Sequence, residues 1–307
     1  KLGVSEDAIA QAGITPQEVL NRHLVELSKS GWWDDALRKK IIEAALKISP
    51  PPAVPDEARR SMAQGQAAVQ LAKTPADFAE PEKLFEKATT LAPWWPDAYF
   101  NLAVVREKTG KIDEAISCLN LYLAASPNAQ DADTVKTKIY ELEYVKKRKA
   151  DAQAFIDQGN KTLDLKDYTN ALTQFKEAAR SDPESSWAHY LTGYCLNRLN
   201  RFEEAVKECE EAIRLEPNHL TMYLSCGYAY GQLGDKKKET QIYEEGLRVD
   251  PYGDNLPYVL ANLGYNYERE GDYAKALDFF ERALVHNHDT PDDIKKAIDR
   301  VKPYVQR

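Results

Sequence analysis

The sequence predicts an all-α array of stacked helix hairpins, an α-solenoid, and three observations predict it. Pro183, Pro217 and Pro251 are evenly spaced, and each closes a run that reads as a helix end: AARSDP, AIRLEP and GLRVDP. The same interval separates Pro93 from Pro127. Apolar residues make up 43% of the 307-residue chain and charged residues 29%, the balance of a folded protein. A fixed period of about 34 residues marks a repeat array, in which each hairpin buries against its neighbours the face it cannot bury alone.

Residues 1–55 read as a helical segment ending in a stiff spacer. Thr15-Pro16-Gln17-Glu18 is a helix start, with Thr as N-cap and Pro at the first helical position. Val19, Leu20, Leu24 and Leu27 follow at helical spacing, Gly31 ends the helix, and Trp32-Trp33 fills the turn. Asp34 is placed to cap a second helix carrying Leu37, Ile41, Ala44, Ala45 and Ile48. Ser49-Pro50-Pro51-Pro52-Ala53-Val54-Pro55 then stops all helix, and its adjacent prolines favour polyproline II.

Residues 56–149 read as two helix pairs and an extra helix. The first pair spans 56–94, is interrupted at Thr74-Pro75-Ala76-Asp77, and carries Leu84, Phe85, Ala88 and Leu91 in its second helix. The second pair spans 97–127, with Gly110 at its turn. Pro127 and Pro183 are separated by one period and the length of one more helix with its turn, which places an extra helix over 131–149. Val135, Ile139 and Leu142 share a face of that helix, and Lys146-Lys147-Arg148-Lys149 suits its C-terminus. The basic run reads as a solvated helix end rather than a nucleic-acid site. No Gly or Pro occurs from Asn128 to Gln158, so the helix is free to run unbroken into the next. It is read as the cap of a first array and the link to a second.

Residues 150–307 read as four pairs, 152–185, 186–219, 220–253 and 257–290, the last displaced by three residues around 252–256. An amphipathic helix over 292–305 closes the chain as an end cap, since the last pair would otherwise expose an apolar face.

Within each period, small and bulky residues alternate. Gly159, Gly193, Gly227, Gly264 and Ala103 take one small position, and Ala171, Ala205, Ala276 and Ala115 a second. Phe175, Cys209, Tyr243, Phe280 and Leu119 take a wedge position, followed by Ala178, Ala212, Gly246 and Ala283. Gly110, Asn200, Gly234 and Gly271 stand at turns, where each can adopt the left-handed conformation that ends a helix. This alternation resembles the tetratricopeptide repeat, closely over 96–290 and loosely over 60–94. Glu239 and Pro81 at small-residue places, and Lys166 in a glycine turn, depart from it. The resemblance implies a right-handed superhelix of about six hairpin units, with an extra linking helix and a C-terminal cap. The segment from Trp32 to LAPWWPDAYFNL also resembles the amino-terminal region of bacterial repeat proteins of unassigned role.

The family binds peptides and proteins, with the first helix of each pair lining the concave face. Helical spacing then places Gln153, Ile156, Asn160 and Leu163 inward, followed by Trp187, Tyr190, Tyr194 and Asn197. Thr221, Leu224 and Tyr228 come next, and then Tyr258, Ala261, Tyr265 and Glu268. The expected partner-binding residues are Trp187, Tyr190, Tyr194, Asn197, Tyr228, Tyr258, Tyr265 and Asn160. Tyr and Trp offer large contact area at small entropic cost. Some family members grip a terminal carboxylate with a Lys/Arg/Asn set. Asn160 matches part of it, but Ile156, Leu191, Thr221 and Ser225 stand at the cationic and polar places, which argues against that mode.

Other chemistry has little support. A net charge of −8 argues against nucleic acid or an anionic membrane as main partner, and no apolar run approaches the ~20 residues of a membrane helix. No glycine-rich phosphate loop or Gly-x-Ser-x-Gly occurs. His286-Asn287-His288 follows a helix end and reads as a polar cap, and His189 and His219 are solitary. The Trp94-Trp95 pair reads as a packed staple. No Cys-x-x-Cys occurs, and the scatter of Cys118, Cys195, Cys209 and Cys226 favours four small buried residues over a Cys209–Cys226 disulfide. No enzyme, cofactor or metal is expected. The expected function is a scaffold for a protein or peptide partner. The alternatives are a carbohydrate-contacting accessory protein of bacterial envelope assembly and the regulatory part of a longer enzyme. The chain starts at Lys1 without Met, leaving a removed leader, and so bacterial cytoplasm or periplasm, open.

Overall fold

The computed structural model describes residues 34–49, 52–286 and 291–305. The expected helix at Thr15-Pro16, Gly31, the Trp32-Trp33 turn, Pro50, Pro51, Asn287 and His288 lie outside them. The described residues form fourteen α-helices and one 3-10 turn, with no strand among them. They divide into two compact units between Lys147 and Arg148.

In the N-terminal unit, α1 (Asp35–Leu46) starts where expected, with Asp34 Oδ1 accepting from the Leu37 amide at 2.7 Å. The first hairpin is α2 (Asp56–Leu71) with α3 (Ala79–Leu91), joined by a 3-10 turn over Pro75–Phe78. That turn carries a Thr74/Asp77 capping box, and Asp77 Oδ2 accepts from the Thr74 amide at 2.7 Å. The second hairpin is α4 (Pro96–Lys108) with α5 (Ile112–Ala125). Tyr99, Leu102, Leu119 and Leu121 make its core, with Phe85 of α3 and Val135, Ile139 and Leu142 of the next helix, α6 (Ala132–Asp164), packed into it. Trp94 is buried against Ile41, Ala45 and Ala58, and its Nε1 donates to the Pro52 carbonyl at 2.9 Å. This Trp is the staple the sequence suggested, and it ties the Pro-rich spacer down. Pro81 lies in the first turn of α3, where its missing N–H leaves little unsatisfied.

The linking helix does run unbroken: α6 is a single helix of 33 residues. In the C-terminal unit its last part pairs with α7 (Tyr168–Ser181). Three hairpins follow: α8 (Ser186–Arg198) with α9 (Phe202–Leu215), α10 (Leu220–Gln232) with α11 (Lys236–Val249), and α12 (Leu256–Glu270) with α13 (Tyr273–His286). The cap is α14 (Pro291–Val305), which buries Ile294, Ala297 and Val301 against α13. The three-residue displacement before α12 is taken up at Asn255, which holds φ at 68° as the N-cap.

The small and bulky positions meet as pairs. The Phe175 ring lies against Gly159, Tyr243 against Gly227, and Phe280 against Gly264. A Cβ at Gly264 would stand 2.6 Å from the Phe280 ring, so nothing larger fits without displacing the wedge. Turn residues Gly110, Asn200, Gly234 and Gly271 all have positive φ, and so does Lys166 at 60°. Lys166 keeps the turn geometry without glycine at a cost of about 1 kcal/mol. Glu239, at the other departure, is buried because Gly231 opposite leaves space for its carboxylate. Lys236 at 3.2 Å and Arg269 at 3.4 Å neutralise it.

The cysteine expectation is corrected. Cys118 and Cys195 are buried and free, but Cys209 and Cys226 form a disulfide between α9 and α10. The reason is stacking: the wedge position of one hairpin faces the first helix of the next. This sets the two Cα atoms 5.3 Å apart, inside the range a disulfide spans.

Candidate binding groove

In the C-terminal unit, the first helices of three successive hairpins line one groove of ≈ 300 Å³. Tyr190, Tyr194, Asn197 and Arg198 come from α8, then Thr221, Leu224, Ser225 and Tyr228 from α10. Tyr258 and Asn262 come from α12, and Asn255 from its N-cap. The hairpin fold itself brings these together: helix residues three or four apart share a face, and stacking sets equivalent faces side by side.

Polar bonds fix the spacing between the helices. Asn197 Nδ2 donates to the Ser225 carbonyl at 3.0 Å and to its Oγ at 3.1 Å, linking α8 to α10. Asn255 Nδ2 donates to Thr221 Oγ1 at 2.9 Å, linking the α12 N-cap to α10. Asn262 Nδ2 donates to the Tyr243 hydroxyl at 3.3 Å. An aromatic ladder runs along α8. Trp187 stands edge-on to Tyr190 at 5.3 Å and to His219 at 5.0 Å, and Tyr190 lies 6.4 Å from Tyr194. Edge-to-face pairs of this kind hold rings in place before a ligand arrives.

Electrostatically the groove is neutral except for one cation. Burial pushes the Tyr190 hydroxyl up to about 12, so it stays a neutral donor. Arg198 lies over the Tyr168 ring at 5.1 Å, and its guanidinium is held above its ordinary value first by hydrogen bonding to Tyr168. Tyr168, Tyr194 and Tyr228 surround it, and no carboxylate stands within ion-pair distance of it among the described residues. The lining contains no Asp or Glu, although the chain has 49 of them.

Of the eight sequence-expected residues, the structure gathers Tyr190, Tyr194, Asn197, Tyr228 and Tyr258 in this groove. Trp187 extends the ladder at its α8 end, 42% exposed. Tyr265 instead packs edge-on to Phe280 at 4.9 Å, and Asn160 lies exposed on α6. Arg198, Asn255 and Asn262 were not singled out in the sequence. Asn262 lies one helical turn after Tyr258, a spacing that could have found it. Asn255 falls in the displaced segment, where the period gives no register.

The N-terminal unit has a smaller cavity of ≈ 250 Å³ between α4, α5 and α6. Phe100, Ala103, Val104, Leu119, Val135 and Leu142 line it, with a Glu107–Lys138 ion pair of 2.7 Å at its wall. Among the described residues, no group of three or more His, Cys, Asp or Glu could hold a metal. No helix among them is long and apolar enough to cross a membrane.

Models of the tetratricopeptide repeat match residues 96–128, 156–219, 220–252 and 257–289, together more than half of the chain. No curated protein matches the sequence. Among solved structures, the crystal structure of MamA is 20% identical, covering 60% of this chain and 92% of its own, with a TM-score of 0.41. YrrB, described as a TPR protein with an unusual peptide-binding site, is 19% identical over 71% of this chain and 97% of its own, with a TM-score of 0.41. The second TPR domain of human RPAP3, in complex with an HSP70 peptide, is 19% identical over 40% of this chain and 97% of its own, at 0.36.

Proposed function

The chain belongs to the tetratricopeptide repeat family, and from that premise we propose that it is a non-catalytic scaffold binding a protein or peptide partner along the Tyr-lined groove of its C-terminal unit. The observation that carries the reading is the convergence of Tyr190, Tyr194, Tyr228 and Tyr258 from three successive hairpins on one groove. Rings held by neighbouring rings and by inter-helix amide bonds lose little entropy on binding. A scaffold of this kind needs no reacting group, only a preformed surface.

The test is affinity isolation with the intact chain and with Trp187→Ala/Tyr190→Ala, followed by mass spectrometry and a titration of each recovered partner. The expected result is loss of at least one partner, with affinity falling roughly 30-fold or more, as removal of two clustered aromatic anchors produces. Retention of every partner at unchanged affinity would place binding elsewhere.

A further inference from the structure

Arg198 is the one charged residue in the groove lining. We infer that the groove takes an extended segment with one acidic side chain, whose carboxylate pairs with Arg198. This deepens the groove reading above and rests on it.

Two observations converge. Arg198 lines the groove as an exposed cation set among tyrosines, and the lining holds no acid to neutralise it. In a chain of net charge −8, a binding surface free of carboxylates is an island that an acidic ligand can approach. Arg198 hydrogen-bonds to Tyr168, and the remaining N–H groups of the guanidinium fork suit a two-point contact with a carboxylate.

The position is distinct from the tail-gripping set. Those places carry Ile156, Asn160, Leu191, Thr221 and Ser225, with no cation among them. The inference therefore concerns an acidic side chain within a segment and requires no free C-terminus.

The test is selection of linear twelve-residue peptides from a phage-displayed library on the full chain, in parallel with Arg198→Gln. The tight binders are then resynthesised with N- and C-termini blocked. Selected peptides are expected to share Asp or Glu at one register, a preference absent from those selected on the variant. For a synthetic binder, changing that acid to its amide is expected to weaken binding about tenfold against the native chain and scarcely at all against Arg198→Gln. An equal loss against both proteins, or peptides with no fixed acid, overturns the inference and leaves the groove reading standing. Peptides whose binding is unaffected by Tyr194→Ala and Tyr228→Ala, or no peptides at all, overturn both. Arg198 is exposed, so its substitution leaves the fold intact, and circular dichroism of the variant checks this.

Discussion

In the N-terminal unit Phe85 fills the space against Gly65; in the C-terminal unit Phe175, Tyr243 and Phe280 do the same against Gly159, Gly227 and Gly264. The buried frame is shared, but the surfaces it presents are not. The N-terminal cavity is walled by Phe100, Val104, Val135 and Leu142, with α6 packed across one side. The C-terminal groove is walled by tyrosines and amides from three equivalent helices. The repeat thus constrains the positions between helices and leaves the open face of each first helix free to differ, and that face is where the proposed binding surface lies.

The frame is the first part of this comparison to break. Phe85→Ala and Phe175→Ala each empty a fully buried wedge and are expected to cost about 3–5 kcal/mol, read by urea denaturation of the full chain. A much smaller loss in one unit would mean that the two frames are not equivalent.

The disulfide is the next largest difference, because Cys118 in the N-terminal unit is free. Closing a loop of 17 residues between Cys209 and Cys226 is worth about 3 kcal/mol in the loop-entropy account. Cys209→Ala/Cys226→Ala is expected to lower the stability of the C-terminal unit by that order, and reductant to do the same. Hydrogen exchange resolved by segment should show the change in α8–α11 and none in α2–α5.

Less of the surface was legible in the sequence than of the frame. The wedge, the small positions and the turns recur once in every period, so each copy supports the others. Even the departures at Lys166 and Glu239 keep the geometry, one by adopting positive φ and one through two cations and the space at Gly231. Groove residues have no such redundancy. Helical spacing placed five of them, but Tyr265 turned to Phe280 because small rotations of a helix decide between core and groove. Arg198 was missed because an exposed arginine at a helix end is indistinguishable in sequence from a capping charge. The Cys209–Cys226 pair was discounted because spacing alone does not report the 5.3 Å approach of two Cα atoms.

A smaller effect distinguishes the C-terminal unit by pH. His189 Nδ1 meets Glu208 Oε2 at 2.7 Å, and Nε2 meets the Pro183 carbonyl at 3.2 Å. Both partners are acceptors, so the doubly protonated ring satisfies both, and the Glu208 hydrogen bond raises the histidine above its ordinary value against the opposing effect of burial. The folded state therefore holds this proton more tightly than the unfolded chain. Its stabilisation is fully present below about pH 6.5 and is lost as pH rises through the raised value. Thermal melts of the native chain should show a small fall on the alkaline side that His189→Gln lacks; identical profiles would remove the histidine from the account.

The central claim is that the Tyr- and Asn-lined groove, and not the apolar cavity of the N-terminal unit, is the binding surface. Hydrogen-exchange mass spectrometry of the full chain, with and without a saturating selected peptide, tests it most directly. The account predicts slowed exchange in α8, α10 and α12 and no change in α4, α5 or residues 132–147. Slowing confined to α4, α5 and residues 132–147, or none anywhere at saturation, would contradict it.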